Sequence, residues 1–109
     1  MKKRINTRKK GQRLELKAFK ILEQDGYLVY RVPGSTKWNR NVDMYGLWDL
    51  FGIKKNIGND TVYIKLIQVK SKKPVLKEWQ DFADKYRSFN LSCEIWWWKA
   101  RQGFQEVKL

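Results

Sequence analysis

The chain has 109 residues, room for one domain with a single core, and its 42% apolar content, with six Trp, five Tyr and five Phe, excludes a disordered basic tail. Lys and Arg number 24 against 11 Asp and Glu, a formal charge of +13 that points to a polyanionic partner, nucleic acid first. Cys93 is the only cysteine and histidine is absent, which excludes internal disulfides and the usual zinc sites. A catalytic metal would therefore need oxygen ligands. No run approaches the roughly 18 apolar residues of a spanning helix, and no apolar signal core follows the basic start, so no membrane partner and a cytoplasmic location are expected.

The opening MKKRINTRKK carries six positive charges and no core pattern, so residues 1–8 read as a flexible basic arm, either a solvated tail or a DNA contact, on a single domain spanning 1–109. From about residue 8 to 24, Leu14, Ala18, Ile21 and Leu22 recur at helical spacing, and Asp25-Gly26 supplies a cap. Residues 27–32 (YLVYRV) form a strand closed by Pro33-Gly34, and a polar loop over 33–41 follows. Residues 48–54 and 61–70 read as two strands joined at Gly58-Asn59, a pair suited to a tight hairpin turn. Pro74 opens a second predicted helix running to about Phe89, with Val75, Leu76, Trp79, Phe82, Ala83 and Tyr86 on one stripe. Residues 93–99 and 104–108 make a closing hairpin around Arg101-Gln102-Gly103. In a strand Trp96, Trp97 and Trp98 cannot all face one core, so at least one either projects outward or packs on the second helix. The predicted order is α-β-β-β-α-β-β.

Two placements carry chemistry. On the first helix Glu15 falls inside the apolar stripe between Leu22 and Phe19. Burying a carboxylate alone costs several kcal/mol, roughly, so Glu15 should have a metal or a Lys as partner, unless it reaches solvent past Phe19. In the hairpin, a two-residue turn at Gly58-Asn59 sets Ile57 opposite Asp60 and, counting back, Asp49 opposite Gln68. Lys70 points to the same side. Asp49, Gln68 and Lys70 therefore converge at the end of a strand whose other residues, Val62, Ile64, Leu66, Ile67 and Val69, are apolar on both faces. A Mg²⁺ site accounts for them: a carboxylate, an amide oxygen and the Val69 carbonyl suit that ion, and a lysine beside it could hold or deprotonate the attacking water. The simpler alternative is a cross-strand Asp49–Lys70 ion pair. Asp43 would fall opposite Pro74, beyond the strand, which favours Asp49 as the acid.

Glu15 on the helix, Trp48-Asp49-Leu50 opening one strand and Gln68-Val69-Lys70 closing the next resemble the scattered motif of the PD-(D/E)xK nucleases. Within that superfamily the chain is most similar to archaeal Holliday-junction resolvases, through Lys10-Gly11, Glu15, the segment Gly26-Tyr27-Leu28-Val29-Tyr30-Arg31 and Pro33-Gly34-Ser35, over about residues 9–90. The resemblance implies an α/β, restriction-endonuclease-like αβββαβ(β) core with a central mixed sheet flanked by helices. It also implies Mg²⁺-dependent hydrolysis of phosphodiester bonds in branched DNA by a homodimer. Glu15, Asp49 and Gln68 would bind the metal, Lys70 would be catalytic, and Ser35 would approach the scissile strand. Arg31, Lys37 and Arg40 would contact phosphates, as would Lys9, Lys10, Arg13, Lys72 and Lys73.

Gln68 departs from the usual acid of the third motif and resembles the QxK of Mrr-like enzymes. Losing one negative charge should weaken Mg²⁺ binding and let Mn²⁺ substitute. An Mrr-like or RecB-like nuclease without junction preference, and a non-catalytic basic DNA-binding protein, are the competing readings.

Overall fold

Leu14, Ala18 and Leu22 recur every fourth residue and are buried, whereas Leu16, Lys17 and Lys20 beside them are exposed, and this stripe makes α1 (Thr7–Gln24) amphipathic. The computed structural model describes residues 7–32 and 47–109. At its C-terminus α1 closes with two reversed bonds. Gly26 N–H donates to the Glu23 carbonyl at 3.0 Å and Tyr27 N–H to the Leu22 carbonyl at 3.0 Å. Gly26 sits at φ 93°, the left-handed conformation that this double cap requires. The predicted cap at Asp25-Gly26 is thus formed.

Four strands of alternating or continuous apolar character and one short edge strand follow: β1 (Leu28–Arg31), β2 (Leu50–Asn56), β3 (Thr61–Lys70), β4 (Leu91–Lys99) and β5 (Gly103–Lys108), with α2 (Lys77–Tyr86) between β3 and β4. They form one mixed sheet in the order β1-β2-β3-β4-β5, in which only β3 and β4 run parallel. Among the described residues the fold is mixed α/β, with five strands and two helices.

Alternation along the central strand assigns the two cores. Ile67 and Val69 join Leu14, Ala18, Leu22, Leu50 and Trp96 beneath α1. Leu66 joins Trp48, Ala83, Cys93 and Ile95 beneath α2, on the opposite face. Each such fully buried apolar side chain contributes about 1.5–3 kcal/mol. Only residues 66–69 of β3 are buried in succession, so the strand is covered on both faces at its C-terminal end and open at its start.

Several boundaries differ from the expected ones. The β2–β3 pairing ends at Asn56↔Thr61, so the connection is the four-residue Ile57-Gly58-Asn59-Asp60 and not two residues, with Asp60 at φ 56°. The register is nevertheless the expected one, because Asn side chains close the loop at both ends: Asn56 Oδ1 accepts from Gly58 N–H and Asn59 Oδ1 from Thr61 N–H. Helix α2 begins at Lys77, three residues after Pro74, and ends at Tyr86. Val75 and Phe89, expected in or at the end of the helix, are 82% and 86% exposed, and Tyr86 is exposed too. A Ser88–Asn90 side-chain hydrogen bond and the Ser88↔Leu91 bridge turn the chain into β4 instead. The tryptophan run splits by alternation, Trp96 and Trp98 lying on the α1 face against Phe104 and half-buried Trp97 on the other.

Candidate active site

The carboxylates and the lysine meet where β2 begins and β3 ends. Leu50↔Ile67 is the last ladder pair of that hairpin, and Asp49 follows it as a bend opposite Gln68. Strict alternation would send Trp48 under α1. It turns instead beneath α2, edge-on to Phe82 at 5.4 Å, which starts β2 two residues later than expected. The Asp49 backbone stays in the sheet, its N–H donating to the Ile67 carbonyl at 2.9 Å and its carbonyl accepting from Val32 N–H at 2.8 Å, while its Oδ2 accepts the Val69 N–H at 2.9 Å. Val69 thus enters the site through its amide, a role that sequence reasoning, which assigned its carbonyl to a metal, did not contain.

Glu15 comes to Asp49 from α1. Burial is the largest influence on Asp49 and raises its carboxyl from 3.8 to about 7. The Val69 hydrogen bond opposes that, the charge of Glu15 adds to it, Lys70 opposes it, and a hydrogen bond to Glu15 favours the neutral acid further. Asp49 therefore lies within electrostatic reach of both Glu15 and Lys70. Two acids share a half-buried space with one lysine.

Glu15 differs from expectation in its partner. Arg31, at the end of β1, donates through Nη2 at 2.9 Å and Nε at 3.2 Å to Glu15 Oε2, where a metal or a lysine was expected. This engages in an ion pair the Arg31 guanidinium that was assigned to phosphates. Both side chains stay partly exposed, 42% and 24%, so the pair is worth about 1 kcal/mol or less and is open to exchange.

Lys70 has a neighbour that the sequence did not announce. Its Nζ lies 4.8 Å from the centroid of the Trp79 ring, and the Trp79 indole N–H donates to the Leu47 carbonyl at 2.6 Å. Trp79 therefore ties the start of α2 to the segment entering Asp49 and offers Lys70 a cation–π seat. An aromatic on the apolar stripe of a helix reads as core, and only the crossover from β3 to α2 brings it to the lysine. Gln68 is 9% exposed, and no hydrogen bond joins its side chain to the other described residues. Lys72 and Lys73 are exposed just beyond, beside a cavity of about 390 Å³ lined also by Lys70 and Trp79. Lys9, Lys10 and Arg13 stand exposed on the first turns of α1, the helix that carries Glu15. Ser35, Lys37, Arg40 and the alternative acid Asp43 lie outside the described residues, as do Met1–Asn6 of the basic arm.

Among the described residues no three of His, Cys, Asp and Glu are grouped to hold a metal ion. The donors brought together are the carboxylates of Asp49 and Glu15, hard oxygen ligands that suit Mg²⁺ or Mn²⁺, while alternation sets the expected third ligand, Gln68, on the Leu66 side of β3, away from α1. Cys93 offers no alternative, since burial raises its thiol and keeps it protonated beneath α2. Comparison with protein-family models, curated proteins and solved structures finds no match for this chain.

Proposed function

We propose that the chain is a divalent-metal-dependent DNA endonuclease with a restriction-endonuclease-like core, selective for branched DNA in the manner of the Holliday-junction resolvases that its sequence resembles. The observation that carries the proposal is the meeting of Asp49 with Glu15 at the end of the β2–β3 hairpin, with Lys70 beside them. Burial, with the repulsion of Glu15 adding to it, raises the Asp49 carboxyl to about 7 and favours its protonated form. A divalent cation relieves the same repulsion without the proton.

Asp49 and Glu15 would hold that ion, with Gln68 as the third ligand that the sequence resemblance implies, and when bound the ion supplies Lewis-acid polarisation of a phosphate and a more acidic water. The amide of Val69 fixes the rotamer of Asp49. Lys70, seated near Trp79, stabilises charge developing on phosphorus. Arg31 exchanges Glu15 for a phosphate when DNA arrives. Lys72, Lys73 and the cations of α1 position the backbone without reading sequence, which leaves selectivity to the shape of the DNA. Two copies, one per strand, would cut a four-way junction symmetrically.

Labelled four-way junction, duplex and single strand incubated with Mg²⁺ or Mn²⁺ test the proposal. Paired nicks in the junction are expected, lost in Asp49→Asn and Lys70→Ala while binding persists. Cleavage of linear duplex without junction preference would replace the resolvase reading by an Mrr-like or RecB-like one. The Arg31–Glu15 pair and the amide at position 68 favour a second reading, a non-catalytic DNA-binding protein, and binding without cleavage under every metal condition would establish it.

A further inference from the structure

The opposite end of the sheet carries a second groove. Seven residues along β3 from Lys70, about 23 Å at ~3.3 Å per residue, Tyr63 begins a surface beside the C-terminal end of α1. Two adjoining cavities of about 510 and 180 Å³ share Tyr27 and Tyr63 as lining. Tyr27 can lie against the sheet because Gly52 beneath it has no side chain, and a Cβ there would come within 3.2 Å of the ring. On the far side Phe89 faces Tyr63 at 6.1 Å between centroids and is 86% exposed. Asn90 Nδ2 donates to the Val62 carbonyl at 3.1 Å and holds that loop in place.

The charge along this groove has one sign. Its lining contains lysines and no acid. Lys65 is held by buried Glu94 at 3.4 Å, Lys54 donates to the Asp25 carbonyl at 2.6 Å, and Lys55 at the rim pairs with exposed Asp60 at 2.8 Å. Lys108 is exposed with no ion pair to any described residue. A largely exposed phenylalanine ring beside a tyrosine and a lysine without an ion pair to the described residues suits a ligand with flat apolar faces joined by phosphates. Bases inside a duplex have their faces covered by neighbours, so the ligand that fits is a single strand.

We propose that the groove between Tyr27 and Phe89 binds single-stranded nucleic acid, with bases stacked on Phe89 and Tyr63 and phosphates on Lys54 and Lys108. The site is separate from the carboxylates and does not depend on catalysis.

The test is fluorescence anisotropy of a labelled thymidine oligomer of about 12 nucleotides in EDTA, where no metal-dependent cleavage occurs. Phe89→Ala is expected to weaken binding by about fivefold or more, since loss of one stacking partner is worth about 1–3 kcal/mol. Lys108→Glu weakens it as well, and Phe89→Trp restores it. Leu28→Ala removes another exposed apolar side chain, one that does not line the groove, and should change nothing. A uridine oligomer bound through the same residues would extend the assignment to RNA. Unaltered binding by Phe89→Ala, or an equal loss in Leu28→Ala, overturns the proposal. Asp49→Asn should bind the oligomer like the wild type, so a protein that never cuts DNA could still prove this site.

Discussion

Asp49 shows how one side chain couples site to stability. Its acid is raised from 3.8 to about 7 chiefly by burial, so the folded protein holds a proton there that the unfolded chain has released. The resulting stabilisation is complete below about pH 4 and disappears as the pH rises through about 7. In EDTA, the stability of the wild type relative to Asp49→Asn should therefore fall between about pH 4 and about pH 7, by an amount on the order of a few kcal/mol at ~1.4 kcal/mol per pH unit, and level off above. Urea denaturation of both proteins across that range measures it. The position of Asp49 was legible because a hairpin register is arithmetic once the turn is known. Its partners were less so. Arg31 reaches Glu15 only because α1 packs along β1, and nothing local to either residue encodes that pairing. Trp79 was hidden for the same reason, as the distance from Lys70 along the chain is covered by a crossover whose path no periodicity specifies.

At the scale of elements, the caps and ladders follow from local chemistry, and the misjudged boundaries trace to tertiary demands. Gly26→Ala should cost about 1 kcal/mol, because its left-handed φ of 93° is strained for any side chain, and thermal melting should show it. Pro74 was expected at the first helical position, where proline fits, yet the helix waits until Lys77, with Leu76 as a cap that offers no side-chain acceptor. In β4, Glu94 is 1% exposed and takes Ser92 Oγ at 2.7 Å, Trp96 Nε1 at 3.1 Å and Lys65 at 3.4 Å. Glu94→Ala strands all three donors and should destabilise by about 3–5 kcal/mol, with part recovered in a Glu94→Leu, Lys65→Met double variant. Chemical denaturation of the single and double variants checks the coupling. Strand alternation sets Glu94 on the same face as Trp96, but no sequence pattern announces the three donors that meet it there.

Across the whole molecule, the net charge of +13 should dominate affinity for DNA. The logarithm of the binding constant should fall linearly with that of salt, and Lys72→Ala with Lys73→Ala should make the slope shallower by roughly two units, near 0.9 for each phosphate that is no longer neutralised. Anisotropy titrations over a salt series read this directly. The mixed α/β class was legible because each described strand announces itself by its apolar pattern, although the β2–β3 connection proved longer than its Gly-Asn pair suggested. The two-sided cover of the sheet followed from the apolar run at the end of β3. Sheet order follows chain order among the described residues, each strand lying beside the one made before it. A nascent chain can then add each new strand to an edge already formed, with no earlier pairing to break. Refolding from urea, followed by stopped-flow fluorescence, should show one dominant phase and no trapped species.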